Sequence, residues 1–197
     1  METHELKQFE TTEELASWYN QKYSEMGKGW DCPRDAALQY IAFMELPRDR
    51  RETLLDVGFG SGDFMQVVWE YVTPVGIEIS TTAIDQAKLA HPTLKFEHGD
   101  IETYTSSEKF GFIASIGSIE HCIDVPKALQ NIHKLLKDDG KAYMLVPNEK
   151  WIHMDQPNEV THTDDEWLDL FIKAGFTPVK YERILDISHF LLVKSTL

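Results

Sequence analysis

The residues best equipped for chemistry begin in the segment Leu54-Leu55-Asp56-Val57-Gly58-Phe59-Gly60-Ser61-Gly62. Gly58 and Gly60 have the positive-φ freedom of a tight turn and let a ligand lie against bare backbone. A helix starting after such a turn offers free N–H groups to a carboxylate or phosphate. Glycine turns between strand and helix are common for steric reasons alone, so the surrounding acids carry the argument. Glu78 stands 20 positions after Gly58, where a carboxylate can hold both hydroxyls of a ribose. Asp56 precedes the turn, and Asp100 sits in His98-Gly99-Asp100-Ile101. Further on, His121 follows Glu120. With an ordinary pKa of about 6.5, a histidine can stay neutral at working pH and accept a proton.

These groups need elements to position them. Residues 12–23 read as a helix, with Thr12 as a capping residue and Leu15, Trp18, Tyr19 and Tyr23 at helical spacing. A loop over residues 27–33 leads to a second helix over about 34–45, ended by Pro47. Strands are then expected at 53–57, 75–79, 94–97, 110–116 and 141–146. Helices alternate with them at 61–71, at 80–90 behind a Ser80 cap, and after Asp124 with Pro126 in the first turn. Near-continuous apolar strands alternating with helices imply a parallel sheet covered on both faces. Thr163 and Glu166 form a capping box for a last helix that carries Trp167, Leu170, Phe171 and Ala174 on one face and stops at Gly175. Two strands without a helix between them, about 177–184 and 189–194, can pair only as a hairpin, so one strand of the sheet runs antiparallel. On this layout Asp56, Glu78 and Asp100 all come to the carboxyl edge of the sheet, where open sheets of this kind bind ligands.

The motifs resemble those of class I S-adenosylmethionine-dependent methyltransferases acting on small molecules. The run from Leu54 to Gly62 is similar to their first motif, Val75-Gly76-Ile77-Glu78-Ile79-Ser80 to the second and Gly99-Asp100-Ile101 to the third. Phe110 to Asp124 resembles the fourth, and Leu135-Leu136-Lys137-Asp138-Asp139-Gly140-Lys141 resembles the turn before the fifth strand. The resemblance implies a doubly wound α/β fold with a seven-stranded, mostly parallel sheet, a C-terminal antiparallel hairpin and an N-terminal helical cap. Residues 1–50 would form that cap and 51–197 the cofactor-binding part of one domain. It implies S-adenosylmethionine as cofactor. Gly58, Gly60 and Gly62 would line its methionine part, and Asp56 would support the loop and the ammonium group. Glu78 would hold the ribose hydroxyls, Asp100 the adenine amino group, and Ile79 and Ile101 would pack on the ring. The backbone at Ser115 and Ile116 would receive the cofactor's amino group. Two positions depart from the pattern: Phe59 stands where a small residue is usual, and Gly111 where Asp is usual.

Methyl transfer from a sulfonium asks the protein mainly to align donor and acceptor and to exclude water. A base is needed only for a protonated acceptor such as a hydroxyl or an ammonium. His121 is the candidate base, with closure of a helix turn as its structural alternative. Relatives that bind a divalent metal do so through an acid three residues before the Glu-His pair. Gly117 occupies that place, so no metal is expected, although Glu120, His121 and His153 could form a partial site. The long connection 146–163 holds Trp151 and His153, and with Tyr19, Tyr23 and Trp30 these are the candidate acceptor-binding residues.

Composition limits the partners. The chain has 197 residues and a formal net charge of −14, with no basic run, which makes a phosphate backbone a poor partner. No apolar stretch reaches membrane-spanning length, and the segment 1–10 lacks the apolar centre of a signal peptide. Cys32 and Cys122 show no paired spacing. A cytoplasmic monomer or homodimer acting on a small-molecule acceptor is the expectation. The rivals are a nicotinamide-dependent dehydrogenase, disfavoured by Asp63 where a small residue is required, and a non-catalytic domain that keeps the fold as a binding or partner subunit.

Overall fold

The structure is a computed structural model that describes residues 7–27, 30–153 and 155–195. Residues 1–6, and Lys28 and Gly29 of the expected 27–33 loop, lie outside the described residues. At the centre, strand β1 (Thr53–Val57) pairs parallel with β2 (Thr73–Glu78) on one side and β4 (Phe110–Ile116) on the other. Strand β3 (Lys95–His98) lies outside β2, and β5 (Leu136–Pro147) lies beside β4, all parallel. Strand β7 (Ile187–Lys194) runs antiparallel to β5, and β6 (Phe176–Ile184) pairs antiparallel with β7. The seven strands follow the order β3-β2-β1-β4-β5-β7-β6. The chain winds one way through β1, β2 and β3 and the other way from β4 onward. A crevice therefore opens beyond the carboxyl ends of β1 and β4.

Both faces are covered. On one, Leu129 and Ile132 of α5 (Val125–Leu135) and Trp167 and Phe171 of α6 (Asp164–Lys173) pack on Ile113, Met144 and Phe190. On the other, Ile41 and Met44 of α2 (Arg34–Met44) and Phe64 and Val68 of α3 (Asp63–Val68) pack on Leu54, Tyr143 and Leu191. Helix α4 (Thr81–Ala90) is capped by Ser80, α5 by Asp124, and α6 by the Thr163–Glu166 capping box, as their sequences dictate. Helix α1 (Thr12–Met26) lays Leu15, Tyr19 and Tyr23 against Ala83 of α4. The first 50 residues thus have two roles, α1 over the crevice and α2 within the main core. No described helix is long and apolar enough to cross a membrane.

Three local expectations change. The cap of α1 is Thr11, whose side chain accepts from the Glu14 N–H; Thr12 is freed for another contact. Helix α3 begins at Asp63, because Gly62 holds a left-handed φ of 79° that no helix continues through, and its cap is already Trp69. Strand β5 starts five residues before residue 141: Phe110 pairs with Leu136 and Phe112 with Lys141, so residues 137–140 bulge out of the ladder where a simple turn was expected.

Candidate active site

The crevice is a cavity of about 480 Å³, within the range of small-molecule sites. Its floor is the glycine turn. Gly58 (φ 68°) donates its N–H to the Ile77 carbonyl at 2.9 Å, and a β-carbon there would overlap Ser118 Oγ. Gly60 (φ 57°) sits beneath Trp30, and a β-carbon would stand 3.0 Å from the Trp30 carbonyl oxygen. Asp56, Gly58, Gly60, Glu78, Ile79, Asp100, Ile101 and Ile116 all line the cavity. Gly62 and Ser115 do not. Gly62 starts α3 and faces Phe96, while buried Ser115 accepts the Ile119 N–H at its Oγ and steadies the chain after β4. Both residues shape the walls without reaching the cavity.

The acids differ in their surroundings. Glu78 is buried and its Oε1 accepts from the N–H groups of Ile79 (2.9 Å) and Ser80 (3.0 Å). Burial raises its pKa, and those backbone donors oppose the rise. Burial, with the charge of Glu78 adding, pushes the Asp56 carboxyl up to about 8. Asp100 accepts from the Glu102 N–H at Oδ1 (2.9 Å) and from Thr12 Oγ1 of α1 at Oδ2 (2.6 Å). Asn20 of α1 likewise accepts from Ser80 Oγ (2.8 Å) and the Thr82 N–H (3.0 Å) at the start of α4. Helix α1 is thereby fastened over the crevice at two points, each of which joins it to a strand-end motif.

The other half of the cavity lies beyond β4. A single 3₁₀ turn, Ile119–His121, carries Glu120 and His121, and the connection after β5 brings Trp151, Gln156 and Glu159 opposite them. Tyr19, Tyr23 and Trp30 complete the wall. The Trp30 ring meets those of Tyr19 and Tyr23 edge-on, with centroids 6.0 and 5.2 Å away. His153 is not in this wall; it is exposed and packs edge-on to Trp151. The His121 ring places Nδ1 3.3 Å from the Pro157 carbonyl. Nδ1 must donate there, which leaves Nε2 as an acceptor. Burial lowers the His121 pKa to about 4 and raises that of Glu120 to about 8, with the Glu159 charge adding to the latter. His121 Nε2 and Glu120 Oε1 lie 3.9 Å apart, and burial favours the uncharged form of each. Among the described residues, no three His, Cys, Asp or Glu side chains are grouped to hold a metal ion.

Sequence reasoning missed Glu159 and Gln156 as wall residues. The length of the 146–163 connection pointed to the region, but nothing in its pattern singled out these two. Thr12 was read as a cap, and its contact with Asp100 spans 88 positions of the chain.

Comparison with known proteins agrees with this geometry. A family model described as "Methyltransferase domain" matches residues 31–185. The chain is 29% identical over 114 residues to the biotin biosynthesis bifunctional protein BioHC of Cellvibrio japonicus (strain Ueda107); the match takes in 56% of this chain and 22% of that relative, so the chain spans under a quarter of that protein's length. Its fold is similar to that of an S-adenosylmethionine-dependent methyltransferase from Clostridium acetobutylicum ATCC 824, with a TM-score of 0.69, 10% identity, and coverage of 93% of this chain and 99% of the other. It is also similar to the 1,6-didemethyltoxoflavin-N1-methyltransferase of Burkholderia thailandensis, solved with 1,6-didemethyltoxoflavin and S-adenosylhomocysteine bound, with a TM-score of 0.70, 18% identity, and coverage of 94% and 87%. With its glycine turn and strand-end acids around one crevice, this chain belongs to the methyltransferase-domain family, in the class I, S-adenosylmethionine-dependent form of the fold.

Proposed function

We propose that the chain transfers a methyl group from S-adenosylmethionine to a hydroxyl or amine of a small-molecule acceptor. The observation that carries this reading is one continuous cavity with two unlike halves, a glycine-floored, acid-edged half and an aromatic half holding His121. The cofactor fits the first half by chemistry. Asp56 and Glu78 are buried acids with raised pKa values and no described Lys or Arg in the cavity lining, and a β-carbon at Gly58 or Gly60 would fill or strain the turn. Glu78 is assigned to the ribose hydroxyls, Asp100 to the adenine amino group, Ile79 and Ile101 to its ring, and the backbone at Ile116 to the amino group of the methionine part. When bound, S-adenosylmethionine supplies an activated methyl group on a positive sulfur.

The chain's own residues then have to exclude water and handle one proton. Helix α1 covers the crevice through Thr12 and Asn20. Tyr19, Tyr23, Trp30 and Trp151 wall the acceptor half. His121, neutral and with its tautomer fixed by Pro157, offers Nε2 as the proton acceptor. Its low basicity suits a proton leaving an acceptor atom that is already becoming positive as the methyl arrives. The test is incubation of the purified chain with methyl-labelled cofactor and a fractionated small-metabolite extract. S-adenosylhomocysteine and a labelled product should appear only with particular fractions. Cofactor binding with no turnover on any fraction would favour the non-catalytic reading.

A further inference from the structure

The acceptor half contains two buried carboxyls that the proposed methyl transfer leaves unused. Glu120 and Glu159 are 3% and 4% exposed, both line the cavity, and each has one oxygen, Oε2, without a hydrogen-bond partner among the described residues. They sit at one junction, because the Val160 N–H donates to the Glu120 carbonyl at 3.0 Å. Trp151 Nε1 donates to Glu159 Oε1 at 2.6 Å, which fixes that carboxyl, and the backbone of Asp155 and Gln156 also favours its ionised form. No described Lys or Arg lines the cavity. Burying an unpartnered carboxyl is costly, and proteins seldom leave a buried polar atom unpaired without a functional reason. Two such carboxyls in the lining of one cavity call for a partner that donates hydrogen bonds and carries positive charge.

Resting on the methyltransferase reading of this same cavity, we propose that the acceptor carries a protonated nitrogen, an ammonium or amidinium with at least two N–H groups, held between the Glu120 and Glu159 carboxyls. That group anchors the molecule so that its methyl-accepting atom comes to His121. The rings of Tyr19, Trp30 and Trp151 around the same space favour a cation further, since aromatic faces attract positive charge. The influence of Glu159 on its neighbour fits as well: its charge raises the Glu120 pKa, and a cation between them would oppose that rise. An acceptor presenting a carboxylate would meet two carboxyls and no described Lys or Arg in the cavity lining. A neutral alcohol would supply one hydrogen bond and no positive charge.

The test uses the full chain saturated with S-adenosylhomocysteine, whose own binding is measured first by calorimetry. The probes are matched triples on one skeleton: phenethylamine, 2-phenylethanol and 3-phenylpropionate, and the same triple with a 4-hydroxyphenyl ring. The ammonium member should bind at least about tenfold more tightly than the alcohol, and the carboxylate member weakest of the three. Glu120→Gln and Glu159→Gln keep volume and one acceptor oxygen each but cannot carry a negative charge. Each should erase most of the ammonium preference while S-adenosylhomocysteine still binds. Absence of ammonium binding, equal binding across a triple, a preference that survives both substitutions together, or one that needs added Mg²⁺ or Zn²⁺ would each overturn the proposal. Failure of S-adenosylhomocysteine itself to bind would instead remove the methyltransferase reading beneath it.

Discussion

Replacing Glu78 by alanine separates the cofactor assignment from mere structural need. The side chain is 7% exposed and its Oε1 already takes the Ile79 and Ser80 N–H groups, so its hydrogen-bonding capacity toward a ribose resides mainly in Oε2. A hydrogen bond to a charged group is worth about 1.5–3 kcal/mol net. Holding the carboxylate ionised against its burial takes back part of that, since its pKa is already raised in the free protein. The net loss in cofactor binding is therefore on the order of 1–3 kcal/mol, or about 5- to 150-fold in Kd. Stability changes in a different pattern. Alanine leaves the two backbone N–H groups unpaired, at about 1–3 kcal/mol each, but also removes a buried carboxyl whose desolvation opposed folding. Glu78→Gln retains an acceptor oxygen for those N–H groups, so it should lose cofactor affinity with a smaller stability change. The assay is calorimetric titration with S-adenosylmethionine and S-adenosylhomocysteine, paired with thermal melts of the free proteins. Wild-type affinity in a folded Glu78→Ala protein would refute the ribose assignment.

Other outcomes follow from the same geometry. Gly60→Ala puts a β-carbon on a φ of 57° and 3.0 Å from the Trp30 carbonyl oxygen; cofactor affinity measured by calorimetry should fall at least about tenfold in a chain whose circular dichroism is unchanged. His121→Ala should keep cofactor affinity and lose roughly 10²- to 10⁴-fold in turnover; with a pKa near 4, the wild-type rate should be flat from pH 6 to 8 and fall only as pH drops toward 4. A melting point lowered with turnover per folded molecule intact would make His121 structural. Asp56 and Glu120 have folded pKa values of about 8 against ordinary values of 3.8 and 4.5, so the folded state holds protons the unfolded chain has released. Stability of the free protein should then decline as pH rises from about 6.5 to 8, by up to about 1.4 kcal/mol per pH unit for each group. His121, depressed from 6.5, costs stability only below that window. Thermal melts across it should show the decline, and Glu120→Gln should make it shallower, with the Asp56 contribution remaining.

The order of the elements, the glycine turn and the strand-end acids were all legible in the sequence, because local chemistry settles them. Buried parallel strands must be apolar, caps must be Ser, Thr or Asp, and a hairpin without a crossover helix must run antiparallel. Asp56, Glu78 and Asp100 share one edge because the strands that carry them are parallel and in register. What the sequence left open depends on contacts between distant segments. Thr12 looked like a cap until α1 was placed over Asp100, and only packing shows that Gly62 and Ser115 lie outside the cavity lining while Gly58, Gly60 and Ile116 are in it. His121 carries an ordinary imidazole in the sequence, and only burial beside Pro157 fixes its tautomer and lowers its pKa. Glu159 shows no pattern at all in its loop. Its meaning arises when the fold buries it in the same cavity wall as Glu120, with no described Lys or Arg in that wall, and charge burial is a property of three-dimensional surroundings that no residue spacing records.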